Sequence, residues 1–368
     1  MSPSPLPDFA LLTRLEQAGQ WFLHSGIQEP SGGVARYYRA DQHRNLPIST
    51  EITGYAIATL LELYQRTKQH EYLEAAKRAG HYLAGAWDQT FKTMPFETPH
   101  VEPNGEGDRF AYFFDLGIVA RSLLRLWRVT GDAWQKDLAQ ACGQSMLDDF
   151  PAAQGSHCIL RLPDKRPLPP EQWWSRTPGA FQLKAALAWR ELAELFPSFQ
   201  TPYERQLEFS LAVWPATLDV ETQPERLMDR LHPLGYFIEG LLPVLHRPAC
   251  AAAAREAIVR YASTLRDIAP QFARADAYAQ LLRARLHAEA AGVLPLDTVQ
   301  AREEHDAIVA LQNQSSDPRL MGGYAFGSRA GQPLPFANPV STAFCLQASA
   351  YWYQRKAGTF RADWRELI

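Results

Sequence analysis

Two short stretches concentrate side chains able to move protons. The first, Ile-Ser-Thr-Glu-Ile-Thr-Gly-Tyr at 48–55, places a single carboxylate, Glu51, behind two hydroxyl residues. The second, 229–242, reads Asp-Arg-Leu-His-Pro-Leu-Gly-Tyr-Phe-Ile-Glu-Gly-Leu-Leu. It gathers Asp229, Arg230, His232, Tyr236 and Glu239 at the start of a nearly continuous apolar run. A pair of carboxylates with a histidine is the equipment of general acid–base chemistry. Glu51 and Asp229 are the candidate catalytic pair, and His232 is an auxiliary proton carrier with an ordinary titration near neutrality. Each residue also has a plainer use. Glu51 suits the first turn of a helix, and His232 suits a helix cap. A buried Glu239 must either find a cation on a neighbouring helix or face a cavity, because an unpaired buried carboxylate is costly; the cavity-facing position makes it a candidate ligand contact.

The elements that must hold these residues are helices of two alternating kinds. Amphipathic stretches lie near 7–24, 69–86, 132–149, 201–214, 250–266 and 297–313. Between them lie stretches apolar on nearly every side, near 50–66, 110–129, 178–195, 232–246, 275–290 and 339–355. A helix apolar all round is covered all round, whereas a one-sided helix lies on an outer surface. Helical pairs at a regular period mean a solenoid or a closed ring. The segments from Gly32 and Gly322 favour the ring. Each runs from a Gly-Gly-apolar turn through a Leu-Pro loop (Leu46-Pro47, Leu334-Pro335) into a covered helix, so the first and last repeats look alike. The expected fold is all-α, a single (α/α)6 barrel over 1–368.

Connections leading into the covered helices are long, at 25–50, 87–109, 150–177, 215–231 and 314–338, with one brief exception near 267–274. Long loops are often functional, so the N-terminal ends of the covered helices are the expected working face. That face would carry Arg36, Tyr38, Asp108, Arg109, Trp174, Arg176, Arg230, Tyr236, Glu239, Asp276 and Tyr324 as substrate-binding candidates, with Asp115 and Arg274 beside them. Aromatic rings stack on sugar faces, and charged forks hold hydroxyls or a uronate carboxylate. Four arginines at the rim, Arg36, Arg109, Arg176 and Arg230, point to an acidic sugar or oligosaccharide.

Bulk properties remove other classes. The chain has 368 residues, 46% hydrophobic and 21% charged, with a net charge of -3, so nothing favours nucleic acid or an anionic membrane. Cys142, Cys158, Cys250 and Cys345 are scattered and share no metal-ligand spacing. They suit free thiols in a reducing compartment. With no signal-peptide pattern and no apolar run of membrane-spanning length, a cytoplasmic setting is expected. No cofactor and no metal are called for, and the oligomeric state is open.

The architecture resembles the six-hairpin glycosidase superfamily. Within it, Glu51, Thr53, Gly54 and Tyr55, and then Leu231, His232, Tyr236, Gly240, Leu241 and Leu242, resemble the helix starts of an incompletely characterised group found with bacterial polysaccharide-biosynthesis genes. The resemblance implies carbohydrate-related work. Unsaturated-uronyl hydrolases of this fold use rim aspartates, for which Asp108 and Asp229 would serve. Sugar 2-epimerases use two histidines, of which only His232 has a rim position here. Terpene-cyclase toroids share a Gln-and-Gly-aromatic repeat similar to 311–327, but their diphosphate-binding aspartate clusters are missing. The expected activity is therefore glycoside hydrolysis or a related acid–base reaction. A non-catalytic glycan-binding or scaffold protein, an epimerase and a cyclase stand as alternatives.

Overall fold

The twelve expected helices are all present in the computed structural model, which describes residues 9–97, 109–171, 173–219 and 223–368. In chain order they are α1 (Phe9–His24), α2 (Thr50–Thr67), α3 (His70–Ala86), α4 (Phe113–Thr130), α5 (Ala133–Asp149), α6 (Gln182–Leu192), α7 (Gln200–Val213), α8 (Pro224–Leu241), α9 (Pro248–Ile268), α10 (Ala275–Ala290), α11 (Thr298–Ala310) and α12 (Pro339–Lys356). The even-numbered members are the covered ones: nearly every residue of α2, α4, α10 and α12 is buried. Their partners bury one stripe, as in α3, where Tyr72, Ala75, Ala76, Ala79 and Leu83 are covered.

The chain divides into two compact units. The first comprises Gln28–Arg36 and Asn45–Thr217; the second comprises the described residues up to Ile27, Tyr37–Arg44 and Leu218–Ile368. In the first unit, α2, α4 and α6 pack side by side, and α3, α5 and α7 each back one of them. In the second, α10 lies between α8 and α12, with α9, α11 and α1 behind.

Local chemistry sets the helix ends. Ser49 caps α2 by accepting from the Ile52 amide, and Asn338 caps α12 by accepting from the Ser341 amide at 3.0 Å. Gly131, at φ 79°, closes α4. In the first unit, α4 and α6 approach so closely that a Cβ on Gly117 would lie 2.4 Å from the Ala185 carbonyl oxygen. Gly117→Ala should therefore push these helices apart and cost about 1–3 kcal/mol, read from the urea midpoint.

The Gly-Gly turns carry the same brace in both units. In the first, Gln28 Nε2 donates to the carbonyls of Gly32 (3.0 Å) and Ala75 (2.9 Å). The Val34 amide then donates to Thr53 Oγ1 at 2.9 Å, and that hydroxyl donates to the Ser49 carbonyl at 2.7 Å. In the second, Gln312 Nε2 donates to the carbonyls of Gly322 (3.0 Å) and Arg14 (2.8 Å). The Tyr324 amide donates to Thr342 Oγ1 at 2.9 Å, and Thr342 donates to the Asn338 carbonyl at 2.8 Å. Gly32 (φ 93°) and Gly322 (φ 83°) occupy the left-handed region that a side chain resists. The Gln-and-Gly repeat of 311–327 is thus a structural strap that ties the loop to a helix on either side.

Two sequence expectations need correction. The fourth covered helix was expected to start at His232, but α8 begins at Pro224 and runs through Pro233. Pro224 occupies the first turn, where its missing N–H costs nothing, and the buried length from Leu231 to Leu241 carries the helix past the interior proline. Asp229 and Arg230 are consequently helical. The connections into the covered helices, the brief one at 267–274 included, also contain strands of two to four residues. Arg109–Tyr112 pairs antiparallel with Ile159–Leu162 in the first unit, and Phe272–Arg274 pairs with Gly327–Arg329 in the second. Such pieces are too short for a period-two pattern to show. All four cysteines are buried, at 0–7% exposure, and none forms a disulfide among the described residues. No described helix is long and apolar enough to cross a membrane.

Candidate functional site

In the first unit the chemistry gathers at the starts of α2 and α4. Glu51 is the second residue of α2 and Asp115 the third of α4. Glu51 is half-buried, whereas Asp115 is only 4% exposed. Asp115 Oδ2 is buried and has no hydrogen-bond partner among the described residues. Burial raises the Glu51 carboxyl to about 7, and the Arg36 charge only partly opposes it. Burial also pushes Asp115 well above the usual carboxylate range, and the charges of Glu51 and Glu97 push it the same way. A carboxyl whose neighbour is also acidic gives up its proton less readily, because like charges disfavour each other.

The surroundings of this pair are aromatic and basic. Phe96 and Tyr112 meet at 4.9 Å between ring centroids, and Trp174 sets its edge on Phe181 at 5.1 Å. Arg36 lies over the Phe96 ring at 5.3 Å and pairs with Glu97 at 2.8 Å. Arg109 pairs with Asp88 at 3.2 Å. Arg176 pairs with Glu171 at 2.7 Å and also bonds the Tyr112 hydroxyl, whose own ionisation burial pushes up to about 12. The positive bias expected from these arginines is therefore cancelled locally, because each has a carboxylate of its own.

The second unit assembles a different cluster. Arg274 makes a two-pronged contact with Asp276, Nε to Oδ1 at 2.9 Å and Nη2 to Oδ2 at 2.7 Å, while its Nη1 reaches Asp229 Oδ1 at 2.9 Å. Burial raises the Asp276 carboxyl, but the Arg274 charge and hydrogen bonds from Arg274 and the Ala277 amide more than offset it and hold the group below its ordinary value. His232 Nδ1 lies 2.8 Å from Gln280 Oε1 and 3.7 Å from Asp276 Oδ2. Its ring packs on Tyr236 at 4.3 Å. Gln280 reaches the histidine because Gly235 carries no side chain; a Cβ there would lie 2.7 Å from the Gln280 amide carbon.

Burial pulls the His232 titration down from 6.5 to about 4, so the ring is neutral at physiological pH and does not titrate near 7. The sign of the linkage follows. Because the folded ring resists protonation, its contribution is present above about 6.5 and is lost as the pH falls towards 4. The loss is of order 3 kcal/mol, from a shift of this size on a buried group. His232→Gln should flatten that part of the stability curve, as thermal unfolding across the interval would show.

Asp229, expected to pair with Glu51 in catalysis, is instead salt-bridged to Arg274. Glu51 makes no ion pair among the described residues; it feels the Arg36 charge, and its own charge acts on Asp115. Of the two positions open to Glu239, the ion pair is the one seen. It is fully buried, and Arg283 of α10 donates to it at 2.6 Å, so it is not aimed at a ligand. Tyr324 is 1% exposed inside the second unit, where its backbone amide is held by Thr342. Tyr38 is 3% exposed, with Arg319 over its ring at 4.5 Å. Arg230 is half-buried and already engaged. Asp108 lies outside the described residues. Sequence inspection placed Asp115 at the rim without a role. The signal that could have marked it is its likeness to Glu51, an acidic residue in the first turn of a covered helix. Gln280, in mid-helix, carried no such signal. Among the described residues no three acidic, cysteine or histidine side chains form a metal-ligand set.

No protein-family model and no curated protein matches the sequence. Solved structures do match over nearly the whole chain. A cellobiose 2-epimerase from Spirochaeta thermophila superposes with a TM-score of 0.70 at 15% identity, over 97% of this chain and 99% of that one. A D-mannose isomerase gives 0.70 at 11%, over 96% and 100%. An unsaturated glucuronyl hydrolase specific for heparin gives 0.62 at 11%, over 95% and 98%. With twelve alternating helices and these neighbours, the chain has the (α/α)6 toroid fold of the six-hairpin glycosidase-like proteins.

Proposed function

We propose that the protein is a carbohydrate-active enzyme that uses Glu51 and Asp115 as its acid–base pair. The observation that carries this is the pair itself: a half-buried carboxyl near 7 whose charge acts on a buried one raised well above the usual carboxylate range, the Oδ2 of which has no hydrogen-bond partner among the described residues. Arg274 does the opposite to Asp276 and lowers it, and burial raises Glu304 despite its ion pair with Arg285; what sets Glu51 and Asp115 apart is that neither has an ion-pair partner among the described residues. Two carboxyls, one charged and one neutral, supply a base and an acid for glycoside hydrolysis. Glu51, ionised above about 7, withdraws a proton, while Asp115 holds one to give. Aromatic rings at the same helix ends suit a sugar face. The fold neighbours that act on sugars support the class of ligand.

A second reading draws on the neutral His232, held by Gln280 in the second unit. A neutral imidazole suits proton abstraction beside a carbonyl, as an epimerase requires. The buried free cysteines support a reducing, cytoplasmic setting, and the Glu-x-Thr-Gly-Tyr helix start supports a place in polysaccharide metabolism.

The test is incubation with neutral and uronic mono- and disaccharides in D2O, followed by NMR. New reducing ends without deuterium at C2 indicate hydrolysis; deuterium at C2 indicates epimerisation. Stabilisation by a sugar with no turnover would leave a binding protein and sink the enzymatic proposal. The rate should rise with pH along a limb near 7, set by Glu51, and a profile flat through neutrality would remove Glu51 from the role of base.

A further inference from the structure

We infer that the first-unit site takes a neutral saccharide, and that its arginines act as hydroxyl donors instead of uronate clamps. This rests on the acid–base reading above and narrows its substrate.

The argument is one of charge and competition. Arg36 and Arg176, the arginines that act on Glu51, Asp115 and Tyr112, are each held by an internal carboxylate, Glu97 and Glu171 respectively, at 2.8 and 2.7 Å. Two cations against two anions leave no excess positive charge. The remaining two acids, Glu51 and Asp115, can only add negative charge. A uronate would have to displace a tethered carboxylate, whose effective concentration at its own arginine is of millimolar order or higher. It would also sit beside Glu51 and oppose its ionisation, because like charges disfavour each other. A uronate-binding site needs the reverse, a forked arginine without a resident partner.

A neutral sugar meets neither obstacle. Each arginine contacts its carboxylate through a single nitrogen. A guanidinium has five N–H groups, so donors remain for sugar hydroxyls. The side chains of Arg36 and Arg176 are 40% and 38% exposed, so those donors can be reached. Phe96, Tyr112 and Trp174 are half-buried, each with part of its surface open for the apolar side of a pyranose.

The experiment is calorimetric titration of the full chain with glucose, mannose, cellobiose and maltose on one side, and galacturonate and digalacturonate on the other, at low and high salt. Glu171→Gln, which leaves Arg176 without its carboxylate, is titrated beside the wild type. We expect at least one neutral sugar to bind with an affinity that salt hardly changes, and the uronates to bind roughly ten-fold more weakly or not at all, since a charge-assisted contact is missing. Glu171→Gln should gain salt-sensitive affinity for digalacturonate. A wild type that prefers digalacturonate, with affinity falling in salt, would overturn the neutral class while leaving the sugar reading standing. A Glu171→Gln protein with no gain for digalacturonate would show that the resident carboxylate is not what excludes uronates, and would also overturn it. Binding of no sugar at all would take the sugar reading down as well.

Discussion

Glu51→Gln should lower turnover by roughly 10²–10⁴-fold, the usual contribution of a positioned proton carrier, and should at the same time make the protein more stable at pH 8. The two effects have one cause. Glu51 is raised from 4.5 to about 7 and Asp115 is raised with it, so the folded state binds more protons than the unfolded chain does. For groups raised in this way, the stabilising contribution is complete below the unfolded value and is lost as the pH climbs through the folded one. Above 7 the wild type carries a charge that its surroundings resist, and the amide does not. A residue kept only for structure would destabilise when removed; a residue kept for chemistry can do the reverse. Asp115→Asn should behave alike, because the orphan Oδ2 has no internal bond to lose. Sugar binding followed by calorimetry should survive in both variants. Loss of stability at pH 8 in both, with turnover intact, would place the pair among structural groups and end the catalytic assignment.

The largest effect on stability should come from the second unit. Glu239 and Arg283 are 1% and 0% exposed and meet at 2.6 Å. Arg283 also lies over the Phe344 ring at 4.0 Å and donates to Gln347 at 2.9 Å and to the Ile368 carbonyl at 3.1 Å. Removing one partner of a buried pair strands the other charge, at about 3–5 kcal/mol. Glu239→Gln and Arg283→Met should each lose that much in urea unfolding. The double substitution Glu239→Leu/Arg283→Met should recover much of it, since neither charge is then left alone. If the double variant is less stable than both single ones, the network around Gln347 and Ile368, and not the stranded charge, sets the cost.

The repeating plan of the fold was legible in the chain because it rests on the difference between covered and one-sided helices, which the apolar pattern records directly. Boundaries were less so: α8 starts at Pro224 because a proline inside a helix can be carried by burial that local rules do not see. The candidate site was half legible. Glu51 and His232 announce themselves by type within apolar surroundings. Their partners did not. Asp115 lies 64 positions from Glu51 (115 − 51) and Gln280 lies 48 from His232, so only the packing of neighbouring helices joins them. The arginines misled for the same reason. A count of basic residues at a rim says nothing of the carboxylates facing them, and Arg36 and Glu97 stand 61 positions apart.

The four buried thiols have a practical consequence. Cys142 and Cys158 belong to the first unit, Cys250 and Cys345 to the second. Burial makes Cys142, Cys158 and Cys345 poor nucleophiles, pushing Cys158 up to about 12 and raising Cys142 and Cys345 above the usual thiol range. Each unit thus carries two silent clocks. The rate at which a thiol reagent labels them, resolved by peptide mass, times the local opening of that unit without any engineered probe.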